Sequence, residues 1–192
     1  VSEGWKQEDI FMPRLEVRIA GFGGQGVVLS GIVLGTAAMY GNKFSTQVQS
    51  YGPEARGGAC KTEVVIADEE ISFPMVTRPD FFIALSQEAL DSYLGDLPEG
   101  KTLVVDEDLV RNLPEKKGIK VLKLPLTRVA DKKVKNRMFT NIVMLGAITN
   151  LIGLVSEEAM KDAVRSSVPK ATVDKNLAAL EEGFALTREI KG

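Results

Sequence analysis

The chain has no histidine among its 192 residues and a single cysteine, Cys60. Without histidine it lacks the side chain most used as a general base near neutral pH and as a metal ligand. One thiol cannot hold an iron–sulfur cluster, which needs several thiolates, and cannot close an internal disulfide. The expected compartment is a reducing cytoplasm. If redox chemistry is involved, the electron carriers must sit on other chains. An excess of one charge is also missing. The 24 Lys and Arg against 26 Asp and Glu leave a net charge of -2, which gives no electrostatic reason to expect nucleic acid or an anionic membrane. No basic, apolar and small-residue succession at the N-terminus marks a signal peptide. Charge is locally absent over residues 19–42 and again over 139–155. The first run approaches membrane-spanning length, but its glycines and Gln25 divide it into a strand end, a turn and a buried helix. Asn141, Thr149 and Asn150 place the second run in a protein environment.

What is present suits one α/β domain over residues 14–192, preceded by a tail over 1–13. Hydrophobic residues make up 44% and charged residues 26%, normal for a globular chain able to bury a core. Alternation or short apolar runs predict strands over 15–20, 44–50, 61–67, 81–85, 102–105 and 119–122. Asp68-Glu69 reads as a hairpin turn into Ile71-Ser72-Phe73. Helices are predicted over 24–40, from Ser86 as N-cap to Tyr93, over 134–154, from Ser156, and over 172–189. The helix over 24–40 is apolar almost all round, as expected of one held between layers. Its Gly31 and Gly35, four apart, would let a neighbouring backbone come close, which offsets a propensity loss of roughly 1 kcal/mol each. The expected fold is a three-layer Rossmann-like α/β domain, its sheet largely parallel with an antiparallel hairpin.

Two glycine-rich segments interrupt this pattern. Gly21-Phe22-Gly23-Gly24-Gln25-Gly26 lies between the first strand and first helix. Gly21, Gly23 and Gly26 occupy the places of a dinucleotide-binding loop, and the free N–H groups of a following helix favour an anion. The acid that such a site needs about 20 residues later is missing, because the second strand ends in Gln49-Ser50. Three uses stay open: a nicotinamide or flavin dinucleotide, some other phosphate or anion, and glycines needed only for backbone geometry. In the second segment, Gly52-Pro53 and Gly57-Gly58 bracket Glu54-Ala55-Arg56. A guanidinium on so constrained a turn suits bidentate recognition of a carboxylate or phosphate. Alternatively, Arg56 pairs with Glu54 and braces the loop. Cys60 reads as a small buried side chain. The run Asp131-Lys132-Lys133 with Lys135 and Arg137 reads as a solvated face that could also meet phosphates.

The segments 21–27 and 49–58 together resemble the gamma subunit of 2-oxoacid:ferredoxin oxidoreductases. Asp80, the segment 84–89, Asn141 with 145–147, and the segment 176–183 carry the same resemblance. It runs from about Leu15 to near the C-terminus. The Tyr-Gly-Pro-Glu-Ala-Arg-Gly-Gly form is most similar to 2-oxoglutarate enzymes. The resemblance implies a complex that decarboxylates a 2-oxoacid, makes an acyl-coenzyme A and reduces ferredoxin. It implies thiamine diphosphate on alpha and beta subunits, iron–sulfur clusters on a ferredoxin-like delta subunit, and no cofactor held by this chain alone. Coenzyme A would pass near the gamma subunit, with Gly21, Gly23, Gly24, Gln25, Gly26, Gly52, Glu54, Arg56, Gly57 and Gly58 as the binding surface. The competing readings are a stand-alone NAD- or FAD-dependent oxidoreductase and a nucleotide-binding regulatory module.

Overall fold

Apolar strands flanked by glycine turns and amphipathic helices give a mixed sheet covered unequally on its two faces. The computed structural model describes residues 14–51 and 59–191. In chain order the strands are β1 (Arg14–Phe22), β2 (Phe44–Tyr51), β3 (Ala59–Ala67), β4 (Phe81–Ala84), β5 (Thr102–Asp106) and β6 (Lys120–Leu124). The helices are α1 (Val27–Tyr40), α2 (Gln87–Tyr93), α3 (Leu126–Lys132), α4 (Thr140–Ile152), α5 (Glu157–Ser167) and α6 (Val173–Lys191). The sheet order is β2-β3-β1-β4-β5-β6. Pairing is parallel from β1 through β6, while β3 runs antiparallel to both neighbours. Among the described residues only β3 is therefore reversed, and the expected α/β fold with antiparallel pairing is present.

One face of the sheet packs against α1 and α3 to α6. Val17, Ile19, Val64, Ile66, Ile83 and Val104 meet the helices there in one buried cluster. Most of this cluster is wholly removed from water, and burying each such side chain contributes roughly 1.5–3 kcal/mol. The other face carries α2, with Ala20, Phe82, Leu103, Val105, Ala89 and Leu90 in a smaller cluster. Both faces of the central strands are thus covered, which explains their continuous apolar runs.

On the α2 side, Arg18 and Glu63 face each other across the β1–β3 ladder. They are 3% and 4% exposed and 2.7 Å apart. Arg18 also reaches Asp96 at 2.5 Å and lies over the Tyr93 ring. A buried cation left without such partners would cost several kcal/mol, about 3–5 when one partner is removed. The pair therefore penalises any slip of β3 along β1.

Several local signals act as expected. Ser86 and Ser156 cap α2 and α5, accepting from Ala89 N and Ala159 N, as their hydroxyls permit. Gly31 packs on β3 so closely that a Cβ would overlap the Thr62 side chain. Other expectations are corrected. The predicted strand at Ile71–Phe73 does not form; these residues lie in an irregular connection between β3 and β4. Pro74 cannot donate to a ladder, and the connection is held instead by Glu16, whose carboxylate accepts from Thr77 N and Arg78 N. The antiparallel pairing is made instead by β3 with β2 and with β1. The helix predicted over 134–154 is shorter, because Asn136 caps a 3-10 turn at Met138 before α4 begins at Thr140. The first strand runs on through Phe22, and α1 starts at Val27 and not at Gly24. Among the described residues, no helix is long and apolar enough to cross a membrane.

Candidate functional site

In open α/β sheets ligands bind beyond the carboxyl ends of the strands, where neighbouring strands send their helices to opposite faces. Here that point lies between β1 and β4: α1 packs in the large cluster and α2 in the small one. The glycine loop closes β1 at this point, and Leu85 and Ser86 follow β4.

The four glycines of the loop serve different ends. A Cβ on Gly21 would overlap the Gln25 carboxamide oxygen and press on Leu85 at 3.2 Å. Gly26 caps α1 in the left-handed region, at φ 72°, a conformation costly for residues with a Cβ. A Cβ there would also overlap Asn141 of α4. Both residues are glycine because of internal packing. Gly23 and Gly24 meet no side chain: a Cβ on either would find nothing within 4 Å, although Gly24, at φ 99°, is held to glycine by its backbone. With Phe22, 41% exposed, they form an outward-facing turn.

Gln25 occupies the switch point itself. Its Oε1 accepts from Phe22 N at 2.8 Å, and its Nε2 donates to Leu85 O at 2.9 Å. The side chain thus bridges the ends of β1 and β4, the position over which a bound pyrophosphate would lie. Topology gives a second reason against a dinucleotide. The strand that normally supplies the ribose-binding acid adjoins the first strand. Here β3 stands between them, which places the end of β2 two strand spacings away, about 9–10 Å. The missing acid after Gln49 and Ser50 has no suitable place to occupy.

Gly21, Gly23, Gly24, Gln25 and Gly26 are therefore brought together at one sheet end. Gly52, Glu54, Arg56, Gly57 and Gly58 lie outside the described residues. Cys60 pairs with Gly21 across β1 and β3 and is 8% exposed; burial pushes its thiol pKa up, which suits an inert side chain. Two cations of the basic run are paired: Lys133 reaches Glu182 at 2.7 Å and Arg137 reaches Asp131 at 3.2 Å. A cavity of about 280 Å³ opens beside it, lined by Glu107, Pro125, Arg128, Val129, Lys132 and Lys133. Arg128 pairs with Glu107 and Asp108 there, so much of the local positive charge is already neutralised.

Sequence reading missed Asn141 as a member of this site's framework. It is 4% exposed, and its Nδ2 donates to Gly26 O at 3.4 Å. An asparagine within an uncharged apolar run was the available signal.

Fold and loop together define a Rossmann-like scaffold in which Gln25 bridges the ends of β1 and β4. The chain matches the model of the pyruvate ferredoxin/flavodoxin oxidoreductase family over residues 16–186. It is 51% identical over 180 residues to the 2-oxoglutarate synthase subunit KorC of Methanocaldococcus jannaschii, covering 92% of this chain and 96% of that one. The crystal structure of a keto/oxoacid ferredoxin oxidoreductase gamma subunit from Geobacter sulfurreducens superposes with a TM-score of 0.85 at 42% identity. That match covers 94% of this chain and all of the other. A 2-oxoglutarate:ferredoxin oxidoreductase from Magnetococcus marinus, solved with 2-oxoglutarate, coenzyme A and succinyl-CoA bound, superposes with a TM-score of 0.83 at 25% identity. There the match covers 93% of this chain but 32% of the longer one. The chain belongs to the pyruvate ferredoxin/flavodoxin oxidoreductase family. Within it, this is a gamma-type subunit of a multisubunit 2-oxoacid:ferredoxin oxidoreductase.

Proposed function

We propose that the complex containing this subunit acts on 2-oxoglutarate. In that reaction the bond between C1 and C2 breaks and CO2 leaves. The remaining acyl carbon forms a thioester with the coenzyme A sulfur, and two electrons pass singly to ferredoxin. The observation that carries this substrate is the 51% identity, end to end, with a 2-oxoglutarate synthase subunit. Thiamine diphosphate would supply the chemistry at C2 from the alpha and beta subunits. Iron–sulfur clusters would sit on a ferredoxin-like delta subunit, since one cysteine and no histidine cannot ligate them here.

The part of this chain is positional. Residues 14–192 act as one domain, and the family match over 16–186 supports that extent. Two surfaces face partners or coenzyme A. One is the turn at Phe22, Gly23 and Gly24, whose lack of internal contacts leaves room for an outside group. The other is the segment of Gly52, Glu54, Arg56, Gly57 and Gly58, where Arg56 holds a phosphate or a partner carboxylate. Gln25, Gly21 and Gly26 support the first surface from within.

Gly23→Ala in the assembled complex separates these roles. The new methyl meets nothing within 4 Å, so the denaturation midpoint should not move. The KM for coenzyme A should rise severalfold if the turn lies on its path. Arg56→Ala should lower coenzyme A-dependent turnover with the fold intact. Unchanged kinetics in both variants would remove the proposed surfaces, and a higher kcat/KM for pyruvate than for 2-oxoglutarate would overturn the substrate.

A further inference from the structure

The two edges of the sheet are built on opposite rules. An edge strand exposes unpaired backbone N–H and C=O groups, and proteins usually protect it by shortness, charge or proline. β6 follows that rule: it has five residues, Lys-Val-Leu-Lys-Leu, with Lys120 and Lys123 exposed. β2, at the other end of the order, does not. It has eight residues, Phe-Ser-Thr-Gln-Val-Gln-Ser-Tyr, with no charge and no proline. Among the described residues, no strand pairs with its outer side.

Apolar side chains flank this edge on both faces. On one face α1 lies along it: Gly31 abuts Thr62 of β3 and Gly35 abuts Ser45 of β2. Successive helical residues turn by about 100°, so moving round α1 from Gly31 past Gly35 leads outward over the edge. The next large side chains in that direction are Met39 and Ile32, 64% and 44% exposed. On the other face Phe44 of β2 is 50% exposed. Thr46, on the same face as Phe44, donates to Pro74 O, which brings Phe73 and Met75, 55% and 43% exposed, beside it. An uncharged open edge between two apolar flanks is the composition of a buried interface.

The family supplies a candidate occupant. In the Magnetococcus marinus enzyme the same fold is 32% of a longer chain, so there it is covalently joined to a further polypeptide. We infer that the outer edge of β2, with Ile32, Met39, Phe44, Phe73 and Met75, docks the partner subunit that corresponds to the remainder of that longer chain. The partner lays an uncharged extended segment along β2 and extends the sheet. This rests on the chain being a subunit of its complex and not on which oxoacid is the substrate.

Hydrogen exchange of the β2 amides tests the site, measured on the chain alone and in the reconstituted complex. Exchange over residues 44–51 should slow at least tenfold on assembly. The double substitution Ile32→Lys and Met39→Lys should leave the denaturation midpoint of the free chain within experimental error, because both residues are exposed. It should weaken assembly at least tenfold, whereas Val121→Lys on the opposite edge should not. If the double variant misfolds, the exchange measurement decides alone. The inference is overturned by unchanged β2 exchange, by normal assembly of the folded double variant, or by equal weakening from Val121→Lys. It is also overturned if the free chain already dimerises through a protected β2 that persists in the complex, which would make a second copy the occupant. A parent complex that assembles as described but prefers another 2-oxoacid would count against the substrate alone.

Discussion

Asn141 of α4 stands in the volume that a Cβ on Gly26 would fill. This contact joins the start of α1 to the start of α4, two helices more than a hundred residues apart in sequence, directly behind the exposed turn. Gly26→Ala should cost about 2–3 kcal/mol, combining left-handed backbone strain with overpacking. Adding Asn141→Ala should recover part of that loss, a coupling of about 1 kcal/mol in a double-mutant cycle. Denaturant midpoints of the four proteins check it. Equal costs of Gly26→Ala with and without Asn141 would show that the backbone alone requires the glycine.

Gly146 of α4 and Gly183 of α6 bring the backbones of the two helices into close contact. A Cβ on Gly146 would overlap Leu180 O and come 2.9 Å from Gly183 Cα. The obstacle is backbone on both sides, so no side chain can swing away. Either glycine changed to alanine should destabilise by about 2–3 kcal/mol, although alanine is the better helix former by about 1 kcal/mol. Urea unfolding followed by circular dichroism measures the balance, and a gain in stability would show that the two helices can separate freely.

Asp106 is fully buried at the end of β5 and accepts hydrogen bonds from Thr127 Oγ1, Thr127 N and Asp108 N. Burial outweighs these bonds and raises its pKa above the ordinary carboxylate value. A folded value above the unfolded one favours folding at low pH. That contribution is present below the unfolded pKa, about 4, and is lost as pH rises through the folded value. Asp106→Asn keeps the shape without the charge. Its stability relative to the parent protein should therefore rise across that same interval and level off above it. Unfolding free energies of the two proteins between pH 3 and 7 provide the test, and a difference that falls with rising pH would reverse the sign assigned to this burial.

The helices and strands were largely legible because each carries its own periodicity and caps. Ser86, Ser156 and the apolar runs over 81–85 and 102–105 specify their elements through contacts within a few residues. The error at 71–73 had the same local origin: Ile71 and Phe73 alternate as in a strand, whereas Pro74 and the distant anchor Glu16 hold an irregular connection. The glycine loop is legible from its spacing, which leaves a dinucleotide, another anion or backbone geometry alone as its use. Only the fold shows that Gly21 and Gly26 are required by packing and that Gln25 ties the ends of β1 and β4 together.

By itself the sequence determined the element types, the lack of any electron-carrying ligand set and, through its matching segments, the family. The tertiary structure decided which glycines face inward, which faces of α1 stay open, and that β3 lies between β1 and β2. Those outcomes depend on contacts between residues far apart in the chain. Local patterns of polarity fix how a segment folds, whereas strand order and the freedom of a surface follow only once distant segments compete for the same space.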